Sequence, residues 1–529
     1  MGTYLNPGNN SFARILNKPY VDKTGLLSLI NQTIDTPESL TCISRPRRFG
    51  KSYAAQMLCA YYDKTCDSSV LFEELKIAKD ASFSTYLNRY DVLYLDMTGI
   101  ISDAAGENIV SFIRRKVSEE LQESYPSLCA NDSFSSMLIN TVEYTGNKFV
   151  AIIDEWDAPI REAKNPQDQR IYLEFLRSLF KNSGTTARIF AAAYMTGILP
   201  IKKDGSQSAI SDFREYTMLF PWKFAPYVGF TEEEVRKLCT ENDVSFENMK
   251  QWYDGYSFPE VGSVYNPNSV MKAVQYHRFA SYWTQTSAAE SLMKYINMDM
   301  DGLQKDITDL IAGTPLHVET DDFANDLTTF HGKDDVLTLL IHLGYLAYDI
   351  DTHTVHIPNE EIRREFSRAI RKIDRSETVR RLRESDQLLE DILSLREEQV
   401  GAQIEKIHEE EPKLFYNTEQ SLRAVVKRAL FTANDHYLSF EEFPAGSGCV
   451  DIAYLPRKVS PYPILVIELK WNLSADGALA QIKNRQYPAA FEHYGSDILL
   501  VGINYNKDAK PGERHHTCRI ERIPASELQ

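Results

Sequence analysis

With 529 residues the chain is too long for one ordinary core, and at roughly 100–200 residues per domain it suggests about three domains. A hydrophobic content of 43% and a charged content of 25% exclude a disordered polymer, and no apolar run reaches the roughly 18–20 residues that span a bilayer. A net charge of −17 argues against a surface coated in nucleic acid throughout, though not against a local basic groove. The polar opening from Met1 to Asn10 lacks the basic-then-apolar layout of a signal peptide. The cysteines (Cys42, Cys59, Cys66, Cys129, Cys239, Cys449 and Cys518) are scattered without a CxxC pair, which argues against a disulfide framework or a cysteine-rich zinc site. These features predict a cytoplasmic protein.

In chain order, Leu40–Ser44, Val92–Asp96, Phe149–Asp154 and Ile189–Thr196 read as short buried strands, each ending in a polar residue. Helical patterns such as Tyr53–Tyr62 and Ile109–Leu121 lie between them, and strands alternating with helices imply a parallel sheet. Residues 1–230 are therefore expected to form a P-loop NTPase-type α/β domain. Over 231–400 the pattern turns mostly helical. Val336–Leu346 reads as a helix running into a hairpin, Ala347–Ile350 and Thr354–Ile357, around Asp351, Thr352 and His353. That stretch fits a helical lid or a winged-helix-like region. Asp374–Glu398 is dense in Arg and Glu and reads as a solvated helix or connector. Over 401–529, with the pattern changing near Tyr416, a second, smaller α/β unit is expected. Thr418–Leu430 and Ala475–Tyr487 are its helices, and Phe440–Phe443, Cys449–Leu455, Ile464–Leu469 and Ile498–Ile503 its strands.

In parallel sheets ligands bind beyond the carboxyl ends of the strands. There the first strand runs into Arg45-Pro46-Arg47-Arg48-Phe49-Gly50-Lys51-Ser52-Tyr53, which opens a helix. A phosphate-binding loop needs inward N–H groups, a helix N-terminus, a lysine for the β/γ-phosphates and a hydroxyl for Mg²⁺. Gly50, Lys51 and Ser52 supply the end of that pattern. Arg45 stands where the usual first glycine would be, and Pro46 removes one N–H donor. Arg45, Arg47 and Arg48 are candidates to add positive charge near the phosphates of ATP. The third strand ends in Asp154-Glu155: Asp154 is expected to hold Mg²⁺ through water, and Glu155 to polarise the attacking water. Thr196 reads equally as a γ-phosphate sensor and as an ordinary strand end. Asp96 reads as a support for these groups or as a helix cap. Arg161 and Arg177 lie near the acids without making a convincing arginine finger.

The second constellation is Asp451 on one strand, then Glu468 and Lys470 on the next, both on the same face because side chains alternate. Asp and Glu converging on one point suit Mg²⁺, and a lysine beside them can orient water at a phosphodiester. Gln481 and Tyr487 follow on a helix. Glu419 and Glu442 compete for the place of a further acid.

At these residues the chain resembles a bacterial family of AAA-ATPase-like proteins with a C-terminal PD-(D/E)XK nuclease-superfamily domain. The resemblance is carried by Lys18-Pro19-Tyr20-Val21-Asp22-Lys23-Thr24, Ser44 to Ser52, Ile153-Asp154-Glu155-Trp156-Asp157, Thr196-Gly197-Ile198, Trp252-Tyr253-Asp254-Gly255-Tyr256 and Tyr265-Asn266-Pro267. In the C-terminal part it is carried by Asp451, Glu468-Leu469-Lys470, Gln481 and Tyr487. Cys449-Val450 depart from it, since such proteins often have Arg and a small polar residue there. The resemblance implies ATP binding and a restriction-endonuclease-like α/β domain. Three readings stay open: an ATPase controlling a metal-dependent nuclease, a nucleotide-dependent switch that binds nucleic acid without cutting, and a scaffold that reuses the nuclease fold for protein contacts. The expected partner is DNA or RNA at the C-terminal domain, with homo-oligomerisation an open option and no membrane.

Overall fold

The computed structural model describes residues 2–127, 133–162, 166–181, 183–201, 203–204, 207–208, 212–283, 295–296, 300–321, 323, 330–371, 377–409, 418–457, 462–485, 487–494, 496–510 and 513–527. Cys129, residues 374–376 and Tyr416 lie outside them. The chain divides into two compact units, one made of residues Met1–Gln285 and Leu316–Arg363, the other of Thr286–Pro315 and Arg364–Gln529.

The first unit is built on a parallel sheet. β1 (Leu40–Ser44), β2 (Asp91–Asp96), β3 (Phe149–Asp154) and β4 (Phe190–Gly197) are followed by a two-residue ladder, β5 (Lys203–Asp204) with β6 (Gln207–Ser208), and by β7 (Arg214–Tyr216). The sheet order is β2-β3-β4-β1-β7, with every neighbouring pair parallel. β1, β3 and β4 are buried along their whole length, as their uninterrupted apolar runs require when both faces are covered. The predicted strands match these to within a residue at each end. One consequence is topological. β4 lies between β1 and β3, so the loop leaving β1 and the acids ending β3 flank the end of β4 at Thr196 and Gly197.

Smaller elements complete this unit. A three-stranded antiparallel sheet has the order β8-β10-β9, from β8 (Phe230–Thr231), β9 (Tyr256–Phe258) and β10 (Gly262–Tyr265). Capped helices pack with it: Glu232–Glu241 starts with a Thr231/Glu234 capping box, and Pro267–Tyr276 starts with Asn266 as cap and Pro267 in its first turn. A second small sheet joins β11 (Leu316–His317), β12 (Ala347–Asp349) and β13 (Thr354–His356). The predicted hairpin is β12–β13, with His353 in the left-handed region at φ 52°. The helix before it, Lys333–Leu343, stops earlier than predicted because Gly344 takes φ 81°.

The second unit holds a mixed sheet in the order β14-β15-β16-β17-β18. Its strands are β14 (Tyr437–Ala445), β15 (Gly448–Pro456), β16 (Ile464–Trp471), β17 (Ile498–Tyr505) and β18 (His516–Ile523). Only β16 and β17 run parallel. A parallel pair needs a crossover, which the helix Ala475–Asn484 supplies. The predicted helix there ends at Asn484, and a separate 3₁₀ turn covers Tyr487–Tyr494. One sheet face packs Leu465, Ile467 and Leu469 against the helices Glu377–Leu393, Glu397–Glu409 and Glu419–Ala429. The other packs Val450, Ile464 and Val466 against Ile482 and Tyr487. Among the described residues no helix is long and apolar enough to cross a membrane.

Gly344 also tests how tightly the first unit is packed. A Cβ there would meet Pro46 at 2.7 Å and Trp283 at 2.9 Å, on a backbone that side chains rarely adopt. Gly344→Ala is expected to destabilise this unit by about 1–3 kcal/mol. Chemical denaturation checks it, and a midpoint equal to the parent's would show that the position is slack.

Candidate functional site

The turn after β1 is wound tightly. Arg48 at φ 70° and Gly50 at φ 92° both adopt left-handed backbone, ahead of the helix Lys51–Tyr62, which packs on the sheet against β3, β4 and β2. No side chain caps that helix, so its first N–H groups and the positive end of its dipole are available to an anion. The Lys51 ammonium closes the loop, donating to the carbonyls of Arg45 (2.9 Å) and Pro46 (2.8 Å). Lys51 is only 4% exposed. Burial lowers its pKa, and the charges of Glu155, Asp154 and Asp157 act against that fall.

A cleft of about 450 Å³ opens beside this loop, lined among others by Arg47, Ser52, Asp96, Thr98, Asp154 and Glu155. The volume suits a small ligand. Asp154 is 3% exposed, and burial raises its pKa against hydrogen bonds from Ser52 and Thr196. The Thr196 hydroxyl donates to Asp154 at 2.5 Å and accepts the Glu155 N–H at 3.3 Å. It is fully buried, so here it supports the acids and does not stand free as a phosphate sensor. Burial would raise Glu155 as well, but Lys51, Arg161 and Thr98 outweigh it and hold the carboxyl below its ordinary value. Asp96 caps the next helix, accepting the Gly99 N–H. A hydroxyl from Ser52 and a carboxylate from Asp154 are the hard oxygen donors that suit Mg²⁺.

This geometry corrects the expected phosphate contacts of Arg45 and Arg48, and it turns Phe49, another loop residue expected at the ATP site, inward. Arg45 is fully buried. Its guanidinium donates to the carbonyls of Ser44, Tyr216 and Thr217 and lies 5.4 Å over the Phe258 ring. Arg48 donates to the carbonyls of Tyr282 and Trp283 (2.9 Å to the latter). Phe49 is 1% exposed and packs edge-on against Tyr256. Arg45 fills the place of the first loop glycine, and all three residues are packed against later parts of the unit. The Tyr282 and Trp283 N–H groups are held in turn by Glu361, 1% exposed, whose Oε1 accepts Trp283 at 2.8 Å and the Ser269 hydroxyl at 3.1 Å. Arg47 lines the cleft, and Tyr53 is half exposed in the first helical turn.

In the second unit the β15–β16 register pairs Ile452 with Ile467. One step on, Asp451 faces Glu468, and Lys470 follows on the same face of β16. Lys470 donates to Glu468 Oε1 at 3.0 Å and lies 3.7 Å from Glu419. Gln481 donates to the same Glu468 oxygen. Glu442 instead pairs with Arg423 at 2.9 Å and is largely exposed, so the geometry brings Glu419, and not Glu442, to the cluster. Sequence reasoning missed Arg423, which also grips Asp451 Oδ1 at 2.9 Å, while Asp451 Oδ2 accepts the Leu469 N–H at 2.8 Å. The signal was present: Glu419 and Arg423 are four apart on one helix face. Tyr487 bonds the Cys449 carbonyl (2.7 Å) and buttresses β15.

Glu468 is the strained member. It is 2% exposed, its Oε2 has no hydrogen-bond partner, and burial together with Asp451 pushes its pKa up to about 7 against the pull of Lys470. An orphaned, buried carboxylate oxygen fits a cation. Among the described residues no group of three or more His, Cys, Asp or Glu is already placed to hold a metal ion, and both Asp451 oxygens have partners.

Comparison with known proteins bears on the first unit. Residues 7–206 match the family described as Predicted AAA-ATPase, AAA-ATPase-like. Over 537 aligned residues the chain is 24% identical to an uncharacterized protein in the vnfD 5′ region of Azotobacter chroococcum mcd 1, covering 95% of this chain and 96% of that protein. Among solved structures it is similar to the Aeropyrum pernix ORC2 protein, described as ADPNP-ADP complexes. There the identity is 11% and the TM-score 0.32, with 67% of this chain and 96% of that one covered, a likeness too low to carry weight.

The raised pKa of Glu468 has a thermodynamic sign. The folded protein keeps a proton that the unfolded chain releases between its ordinary pKa of 4.5 and about 7. Stability is therefore lost as pH rises through that window. In a metal-chelating buffer Glu468→Gln is expected to remove this slope, so that its melting temperature gains on the parent's from pH 5 to pH 8. Parallel melting curves across the range would show that Glu468 is not strained.

Proposed function

We propose that the chain binds and hydrolyses ATP through the first unit. The observation that supports this best is that Ser52, Asp154 and Glu155 line one cleft, with the buried Lys51 within reach of the charges of both acids, in a region that matches an AAA-ATPase family. The N–H groups at the start of the Lys51–Tyr62 helix would cradle the phosphates, and the Lys51 ammonium would exchange its loop carbonyls for phosphate oxygens. Ser52 and Asp154 would hold Mg²⁺, which when bound neutralises charge developing on the phosphates. Glu155 would orient the attacking water. Asp157 is no rival, since it is fully buried and its oxygens are taken by Arg161 and by the Ile198 and Leu199 N–H groups.

For the second unit we infer a metal-dependent PD-(D/E)XK nuclease-like site acting on DNA or RNA. Glu468, Asp451 and Glu419 would supply the cation's oxygens, and Lys470 would steady water or phosphate. The orphaned Glu468 Oε2 supports this reading. One observation favours the rival, a switch or scaffold without cleavage: Arg423 already neutralises Asp451. The β12–β13 hairpin, with Asp349 and Asp351 near its tip, carries no lysine or arginine to grip a phosphate backbone.

Lys51→Ala is expected to weaken ATP binding by more than tenfold, about 1.4 kcal/mol, as read by calorimetry. Glu155→Gln should bind ATP like the parent and hydrolyse it far more slowly. Unchanged affinity in the first variant and unchanged turnover in the second would together end the ATPase reading.

Incubation of the full chain with single- and double-stranded DNA and RNA, with Mg²⁺ or Mn²⁺ and with or without ATP, tests the second site. Cleavage that disappears in Glu468→Ala supports the nuclease. Nucleic-acid binding without any cleavage favours the switch.

A further inference from the structure

We propose that Arg161 is a positioning residue for ATP hydrolysis, holding the Glu155 carboxylate by one oxygen so that the other is presented to the attacking water. The proposal rests on the ATPase reading of the first unit. Arg161 lies on the short helix Ala158–Glu162 that follows the acid pair. Its guanidinium forks between two acids of its own chain, with Nη2 on Glu155 Oε2 at 2.9 Å and Nε on Asp157 Oδ2 at 2.9 Å. The far side of the fork is anchored. Asp157 is fully buried and accepts the Ile198 N–H at 3.2 Å and the Leu199 N–H at 3.1 Å, both just past the end of β4. Arg161 thus transmits the position of the β4 end to Glu155.

The orientation follows from which oxygen is used. The Thr98 hydroxyl donates at 3.1 Å to Glu155 Oε2, the same oxygen that Arg161 holds. Two donors from different elements therefore converge on Oε2, and Oε1 is left for the cleft that Glu155 lines. The guanidinium is planar and its side chain only 9% exposed, so the direction it imposes is firm. Glu155 itself sits at φ 53°, past the end of β3, where no strand ladder constrains its side chain. A displacement of about 1 Å at such a group costs on the order of a hundredfold in rate. An arginine committed to two acids of its own chain does not reach across to a phosphate, so the arginine-finger option does not extend to Arg161.

The test uses the full chain and steady-state ATP hydrolysis. In Arg161→Met kcat should fall about ten- to hundredfold, while KM and the Kd for ATP stay within about threefold of the parent. Arg161→Lys should recover part of the lost kcat, since an ammonium can reach Glu155 but cannot fork. Because Arg161→Met strands a buried Asp157, the double variant Asp157→Asn/Arg161→Met is measured alongside it. There the amide oxygen can still accept the Ile198 and Leu199 N–H groups, and the same loss of kcat is expected at a near-parent melting temperature. A parent-like or raised kcat in either Met variant overturns the proposal; a raised value would mean that Arg161 holds Glu155 away from water. If the parent chain hydrolyses no ATP, the ATPase reading and this inference fall together. If it does and the variants match it, only the role of Arg161 falls.

Discussion

The buried ammonium of Lys51 is the charge around which the first unit's site is arranged. A cation taken out of water is costly unless acceptors and counter-charges surround it. Here the acceptors are the carbonyls of Arg45 and Pro46, and the counter-charges are Asp154, Glu155 and Asp157. The acids need the arrangement as much as the lysine does. Asp154 is itself buried, and it is the nearby hydroxyls of Ser52 and Thr196, with Lys51, that oppose the rise in its pKa. The sheet order brings these groups together: β1 delivers Lys51, β3 the acids, and β4, lying between them, delivers Thr196.

The loop around Lys51 departs from a glycine-rich phosphate cradle, and the departures have packing reasons. Arg45, Pro46, Arg48 and Phe49 each contact residues much later in the chain: Thr217 and Phe258, Gly344, Trp283, and Tyr256. The bulk in this loop thus serves as an internal docking surface, while Gly50, left-handed like Arg48, keeps glycine directly before the helix start.

Much of this was legible in sequence because the signals are local. Apolar runs fixed the parallel strands, and Gly50-Lys51-Ser52 and Asp154-Glu155 stand at strand ends, where a parallel sheet exposes its chemistry. Alternation along β16 put Glu468 and Lys470 on one face. What stayed illegible was long-range. Arg45 and Arg48 are chemically suited to phosphate, and only the folded chain shows that carbonyls more than a hundred residues away take them. Arg423 could be placed on the Glu419 helix face, but its partners Glu442 and Asp451 lie 19 and 28 residues further on, on neighbouring strands, a contact that period alone does not give. Glu419 and Glu442 could be separated only by where Lys470 and Arg423 reach.

The Arg48 clasp makes the phosphate loop and a distant stretch of chain share one equilibrium. Arg48 holds the carbonyls of Tyr282 and Trp283, and Glu361 holds their N–H groups. The polypeptide passes into the second unit shortly after each of these anchors, at Gln285 and at Arg363. Binding free energies are reciprocal. An anion that loosens or tightens the clasp does so only by binding its open and closed states with different affinity, and by the same linkage the state of the clasp sets the loop's affinity for the anion.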